Sequence, residues 1–183
     1  SCLVTITNIL PSKRLKAFYT QDLKKYLSST NECHLQIGLI TLGSTSSGLQ
    51  ELLKREITPT YNYIKSLITS PQISQKLRIT TLHTLTQLLQ ALEPEIFQLN
   101  EQILTDIFAV MTGGDDDDGN GLLTDRGLKY ALEAIKIITD NIEGYELSQV
   151  AMAIFERIAP LLGSSSEEIR VQIIAILPNL LDY

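Results

Sequence analysis

Apolar residues recur every three or four positions through most of this 183-residue chain. From Leu77 they fall at Leu77, Ile79, Leu82, Leu85, Leu88, Leu89 and Leu92, and from Leu128 at Leu128, Ala131, Leu132, Ile135, Ile138 and Ile142. That spacing puts each set on one broad face of an α-helix, wide enough to bury more than a narrow seam. Long alternating runs of apolar and polar residues are missing, so no strand is expected. The chain reads as all-α.

Breakers divide the pattern. Pro11, Pro59, Pro71 and Pro94, the Gly113–Gly121 stretch, Gly144 and the run Gly163-Ser164-Ser165-Ser166 mark boundaries. They predict helices near 2–10, 12–28, 32–43, 47–69 (broken near Pro59), 74–92, 95–112, 123–142, 145–162 and 166–181. Pro59 follows Thr58 where a helix can begin, because proline is tolerated at the first helical position. Ser166, followed by Glu167 and Glu168, supplies the capping hydroxyl and first-turn acids of a helix start.

The chain also resembles itself. The segments Leu35-Gln36-Ile37-Gly38-Leu39, Leu77-Arg78-Ile79-Thr80-Thr81, Leu128-Lys129-Tyr130-Ala131-Leu132 and Ile169-Arg170-Val171-Gln172-Ile173 can be laid over one another. Each is an aliphatic residue, a long polar one and a bulky apolar one, early in the second helix of a pair. Their starts lie 42, 51 and 41 residues apart. Apart from the middle interval, stretched by a glycine- and aspartate-rich insertion at 113–122, this is close to the ~40–47 residue period of helical-pair repeats. On these residues the chain resembles the HEAT-type α-solenoid family, with Gln36 replacing the basic residue in the first repeat. The resemblance implies a right-handed α-solenoid of about four helical pairs, first helices convex and second helices concave, sharing one core. The whole of 1–183 is expected to be one such segment. Its apolar ends, Cys2 to Leu10 and Leu180, Leu181 and Tyr183, suggest a piece of a longer array, since a complete solenoid carries polar caps.

Composition narrows the function. At 44% hydrophobic the chain is not disordered. It has no run near the roughly 18 uncharged apolar residues of a membrane span. Ser1 to Leu10 lacks the basic leader and cleavage site of a signal peptide. Two cysteines, Cys2 and Cys33, give neither a disulfide framework nor a thiolate zinc site, which favours a reducing compartment, cytoplasm or nucleus. A net charge of -6 and the absence of Trp argue against direct nucleic-acid binding.

Candidate chemistry is sparse. Asp116 to Gly127 has the oxygens and glycine of a calcium loop at Asp116, Asp118, Asn120 and Gly121. Its twelfth position is Gly127, so the bidentate glutamate is missing, and an acidic connection between helices suits the segment better. The four aspartates Asp115, Asp116, Asp117 and Asp118 repel one another, and a basic partner segment would relieve that repulsion. Lys13, Arg14, Lys16, Lys24 and Lys25 make one basic helix, which reads as a solvated face or a phosphate-binding strip. His34 and His83 fall on different repeats, with no acid or nucleophile at a defined spacing. Cys33 and His34 point about 100° apart on a helix. No catalytic residue, metal site, cofactor or small-molecule substrate is expected. Tyr61, Tyr63, Phe97 and Phe108 lie on apolar helical faces as core residues or groove linings. Concave polar positions such as Gln36, Lys129 and Glu133 are the expected contacts to an enclosed partner.

Among families of this build the chain is most similar to the importin-β group of nuclear transport receptors, on its acidic pI, its irregular pairs and the insertion at Asp115 to Asp118. The similarity implies recognition of basic transport signals, binding of Phe-Gly nucleoporin repeats between outer helices, and regulation by the small GTPase Ran. Leu42-Gly43-Ser44 through Gly48, then Leu52, resembles instead the helical-repeat chaperone of proteasome base assembly. An architectural arm of a giant kinase or chromosome-organising complex is the third possibility. All three are non-enzymatic scaffolds that bind proteins.

Overall fold

The structure, a computed structural model, describes residues 12–112, 123–142 and 144–181. The helix expected over 2–10 and the acidic insertion with Asp115–Asp118 lie outside them. The described residues are helical, with no strand among them. They fall into two compact units, Ser1–Ile96 and Phe97–Tyr183.

In the first unit, α1 (Ser12–Ala17) runs through a π-helical stretch, Phe18–Leu23, into α2 (Lys24–Leu27) without leaving helical backbone geometry. Next comes α3 (Glu32–Thr45), capped by Asn31, whose side chain accepts from the Cys33 and His34 amides. Then follow α4 (Gln50–Leu53), a 3₁₀ turn (Lys54–Glu56), α5 (Ile57–Ile68) and α6 (Gln75–Ala91), the last capped by Ser74 on the Leu77 amide at 3.2 Å. The break expected near Pro59 therefore lies just before it, at the tightened turn. Pro59 sits in the first turn of α5, where its missing N–H has no helical partner to lose.

This unit is two helical hairpins whose second helices, α3 and α6, pack on each other. Leu39, Leu42, Leu53, Ile64, Leu77, Leu85 and Leu89 are buried in its core. Thr84 Oγ1 lies 3.0 Å from the Leu39 carbonyl on α3, and Thr80, Thr81 and Thr84 all bond carbonyls one turn back in α6. Gly38 lets α3 close on α2. A Cβ there would lie 3.0 Å from Leu27 Cδ2 and 3.2 Å from the Leu27 backbone nitrogen.

The second unit repeats the plan with α7 (Asn100–Thr112), α8 (Asp125–Asn141), α9 (Gly144–Ile158), a 3₁₀ turn (Ala159–Gly163) and α10 (Glu167–Leu181). Again the second helices, α8 and α10, pack together, burying Leu132, Ile135, Ile138, Ile169, Ile173 and Ile176. Gly144 opens α9 at φ +57°, a left-handed conformation that a residue with a Cβ adopts only at a cost.

Gly38→Val should lower stability by about 1–3 kcal/mol, because a branched side chain must displace Leu27 and its backbone. Urea unfolding followed by circular dichroism measures it.

Candidate protein-binding surfaces

The long polar residue of each repeated segment has a defined job. Gln36 Nε2 donates to Thr80 Oγ1 at 3.0 Å, tying α3 to α6. Lys129 Nζ lies 2.8 Å from Glu168 Oε2, tying α8 to α10. The hydrogen bond and charge of each partner hold Glu168 below the usual carboxylate range and Lys129 above the usual ammonium range. The second member of each unit turns the other way. Arg78 Nη2 donates to the Ser70 carbonyl and Arg170 Nη1 to the Ser164 carbonyl, each at 2.6 Å, closing the turn inside its own hairpin. Arg78 is only 2% exposed, its Nε and Nη1 have no partner, and burial pulls its pKa down. Of the expected partner contacts, Gln36 and Lys129 are thus each paired within the chain, the Lys129–Glu168 pair at the surface, and Glu133 is half-buried on the same face as Lys129.

The first helices leave gaps instead. In the first unit a groove of about 350 Å³ runs between α1–α2 and α5, lined by Tyr19, Leu27, Leu42, Pro59, Thr60 and Tyr63. At its mouth Tyr19 OH donates to Glu56 Oε2 at 3.1 Å, while Lys24 Nζ sits 3.4 Å from that oxygen and 5.0 Å from the Tyr19 ring centre. Tyr63 OH donates to the Leu27 carbonyl at 2.7 Å. Burial, then the Glu56 charge and hydrogen bond, push the Tyr19 hydroxyl up to about 12. Burial alone pushes Tyr63 up to about 12. A smaller hollow of about 190 Å³ adjoins, with Leu15, Lys16, Leu49, Leu52 and Arg55 in its wall. In the second unit the equivalent groove, about 390 Å³, lies between α7 and α9 and is lined by Phe97, Leu104, Ile142, Tyr145 and Val150 among others.

Apolar side chains also face solvent at matching positions of the repeated segments. Ile37 and Ile40 on α3 are 51% and 47% exposed, and their counterparts Val171 and Ile174 on α10 are 56% and 59% exposed. Charge divides sharply between the units. Residues 1–96 carry ten Lys and Arg against six Asp and Glu, a net +4, whereas 97–183 carry five against fifteen, a net -10.

The remaining expected residues are placed as follows. Arg14, Lys16 and Lys25 are exposed on the first helix, and Lys24 is engaged with Glu56. The side chain of Lys13 lies outside the described residues. His34 is exposed, edge-on to Tyr26 at 5.8 Å, and His83 is half-buried. Tyr61 is buried, while Phe108 is half-buried beneath the Arg157 guanidinium at 5.6 Å. Gly127, the twelfth position of the calcium-like loop, is buried in the first turn of α8, where a Cβ would meet Leu123 Cδ2 at 3.1 Å. Among the described residues no group of three or more His, Cys, Asp or Glu could hold a metal ion, and no helix is long and apolar enough to cross a membrane.

Tyr19 and Glu56 are among the groove residues that the sequence pattern missed. They stand 37 positions apart in different hairpins. The one signal for them was an aromatic side chain set into a basic helix.

No protein-family model matches the chain, and neither a curated protein nor a solved structure matches it.

The raised tyrosines make stability depend on alkaline pH. Both hydroxyls keep their protons in the folded chain up to about 12, against 10.0 for an unperturbed tyrosine. Their contribution is therefore fully present below pH 10 and is lost as pH rises through 12. Urea unfolding between pH 8 and 12 should show that decline, and Tyr19→Phe with Tyr63→Phe should flatten it.

Proposed function

We propose that the chain is a non-enzymatic helical-repeat scaffold that binds other proteins, a segment of a nuclear transport receptor of importin-β type. On this reading the hairpins continue one another as a right-handed α-solenoid within a longer array. The array works in cytoplasm and nucleus and holds basic cargo segments or transport factors.

The observation that carries the reading is the repeated division of labour between helices. Second helices pack on each other, with Gln36 on Thr80 and Lys129 on Glu168, while first helices flank grooves in both units. Rigid helices flanking an apolar groove suit a short partner segment, because few side chains must be ordered on binding. The α7–α9 groove sets Phe97, Tyr145 and Val150 beside Gln98, Asn100, Glu101, Glu146 and Gln149, and on the importin-β resemblance it is the groove that would take a Phe-Gly repeat. The net charge of -10 on residues 97–183, with Asp115–Asp118 among them, suits basic cargo and speeds encounter with it.

Titrating the full chain with an uncharged Phe-Gly repeat peptide tests this. Saturable binding is expected, weakened at least tenfold by Tyr145→Ser, a change at a side chain 77% exposed and so harmless to folding. No saturable binding, together with a cell-extract capture that retains neither Ran nor nucleoporins, would overturn the transport reading.

A further inference from the structure

We infer that the cleft between α1–α2 and α4–α5 of the first unit is a docking site for an acidic peptide segment of a partner protein, anchored by one bulky apolar side chain. The two hollows of this unit follow one another along the same pair of first helices. Leu15 and Lys16 face Leu49 to Arg55 in one, and Tyr19 to Ser28 face Glu56 to Tyr63 in the next. Lys16 and Lys24 are eight residues apart, about 12 Å of helix, which an extended peptide spans with four residues.

The larger hollow is built for an apolar anchor. Tyr19, Leu27, Leu42, Pro59, Thr60 and Tyr63 line an open hollow of about 350 Å³, near the lower end of the range for ligand pockets. The Tyr63 hydroxyl is already committed to the Leu27 carbonyl and the Tyr19 hydroxyl to Glu56, so neither asks the anchor for a hydrogen bond.

Charge selects the rest of the occupant. The walls of the two hollows carry Lys16, Lys24 and Arg55 against Glu51 and Glu56, with Arg14 and Lys25 exposed on the same first helix as Lys16. Glu56 is answered by Lys24 at 3.4 Å, which leaves Lys16 and Arg55 over Glu51 in the cleft wall, on a unit of net +4. A carboxylate-rich segment therefore gains on approach, and a basic one is repelled.

Isothermal titration of the full chain with an eight-residue peptide of Asp and Glu around one central Phe provides the test. Saturable binding is expected, falling at least tenfold between 50 and 300 mM salt, and lost when the peptide Phe is replaced by Ser. Lys16→Ala with Arg55→Ala, the two cations in the wall of the smaller hollow, should weaken it at least tenfold. So should Pro59→Glu, which puts a carboxylate at the rim of the groove and suits the first turn of a helix; circular dichroism confirms folding of each variant. Failure to bind, equal binding of a Lys-for-acid peptide, or unchanged affinity in both variants would overturn the inference. Salt-sensitive self-association in sedimentation that the peptide cannot compete would also overturn it, since the cleft would then hold a second copy. The inference stands apart from the transport reading, whose Phe-Gly probe is uncharged and reads the second unit.

Discussion

Packing of one second helix on another is the contact on which the rest of the molecule depends. A single hairpin of this length has an apolar face that it cannot bury alone. α3 completes its burial only against α6, and α8 only against α10. Around that contact the polar groups are arranged by consequence. Gln36 and Lys129 reach across to the neighbouring second helix, while Arg78 and Arg170 fold back onto carbonyls of their own turns. The same sequence position thus does two different jobs, set by whether a second helix lies in front of it within the unit.

The helices were largely legible in the sequence because burial imposes a 3.6-residue period that local chemistry then punctuates. The expected spans 32–43, 74–92 and 123–142 correspond to α3, α6 and α8, within two residues at each end. The break in the second first-helix is expected near Pro59 and lies at Lys54–Glu56, since proline in a first turn starts a helix without interrupting one. The site was less legible. Tyr19, Glu56 and Tyr63 meet only because two hairpins stack, and no local spacing encodes that meeting. For Gln36 and Lys129 the sequence left the direction of their side chains open, and that direction is a tertiary property.

The first helices tell the complementary story. Their inner faces supply core residues such as Leu15, Leu23, Ile64 and Ile154, yet their flanks do not close on each other. Tyrosines span part of that gap, with hydroxyls satisfied by Glu56 and by a backbone carbonyl, so a polar tip can sit at the edge of an apolar groove without a desolvation cost left open. This gives a surface that is stable while empty and still apolar enough to receive a side chain.

The threonines of α6 carry one more consequence. Thr80, Thr81, Thr84 and Thr86 are buried in a helix whose β-branched residues lower its intrinsic propensity. Such a segment gains little from forming alone, and its helical state is held by α3 through contacts like Thr84 on Leu39. Opening of the α3–α6 seam therefore exposes the buried faces of both helices together. Loosening at the α3–α6 seam would reach Glu56 and Tyr19 as surely as a change made in the groove itself.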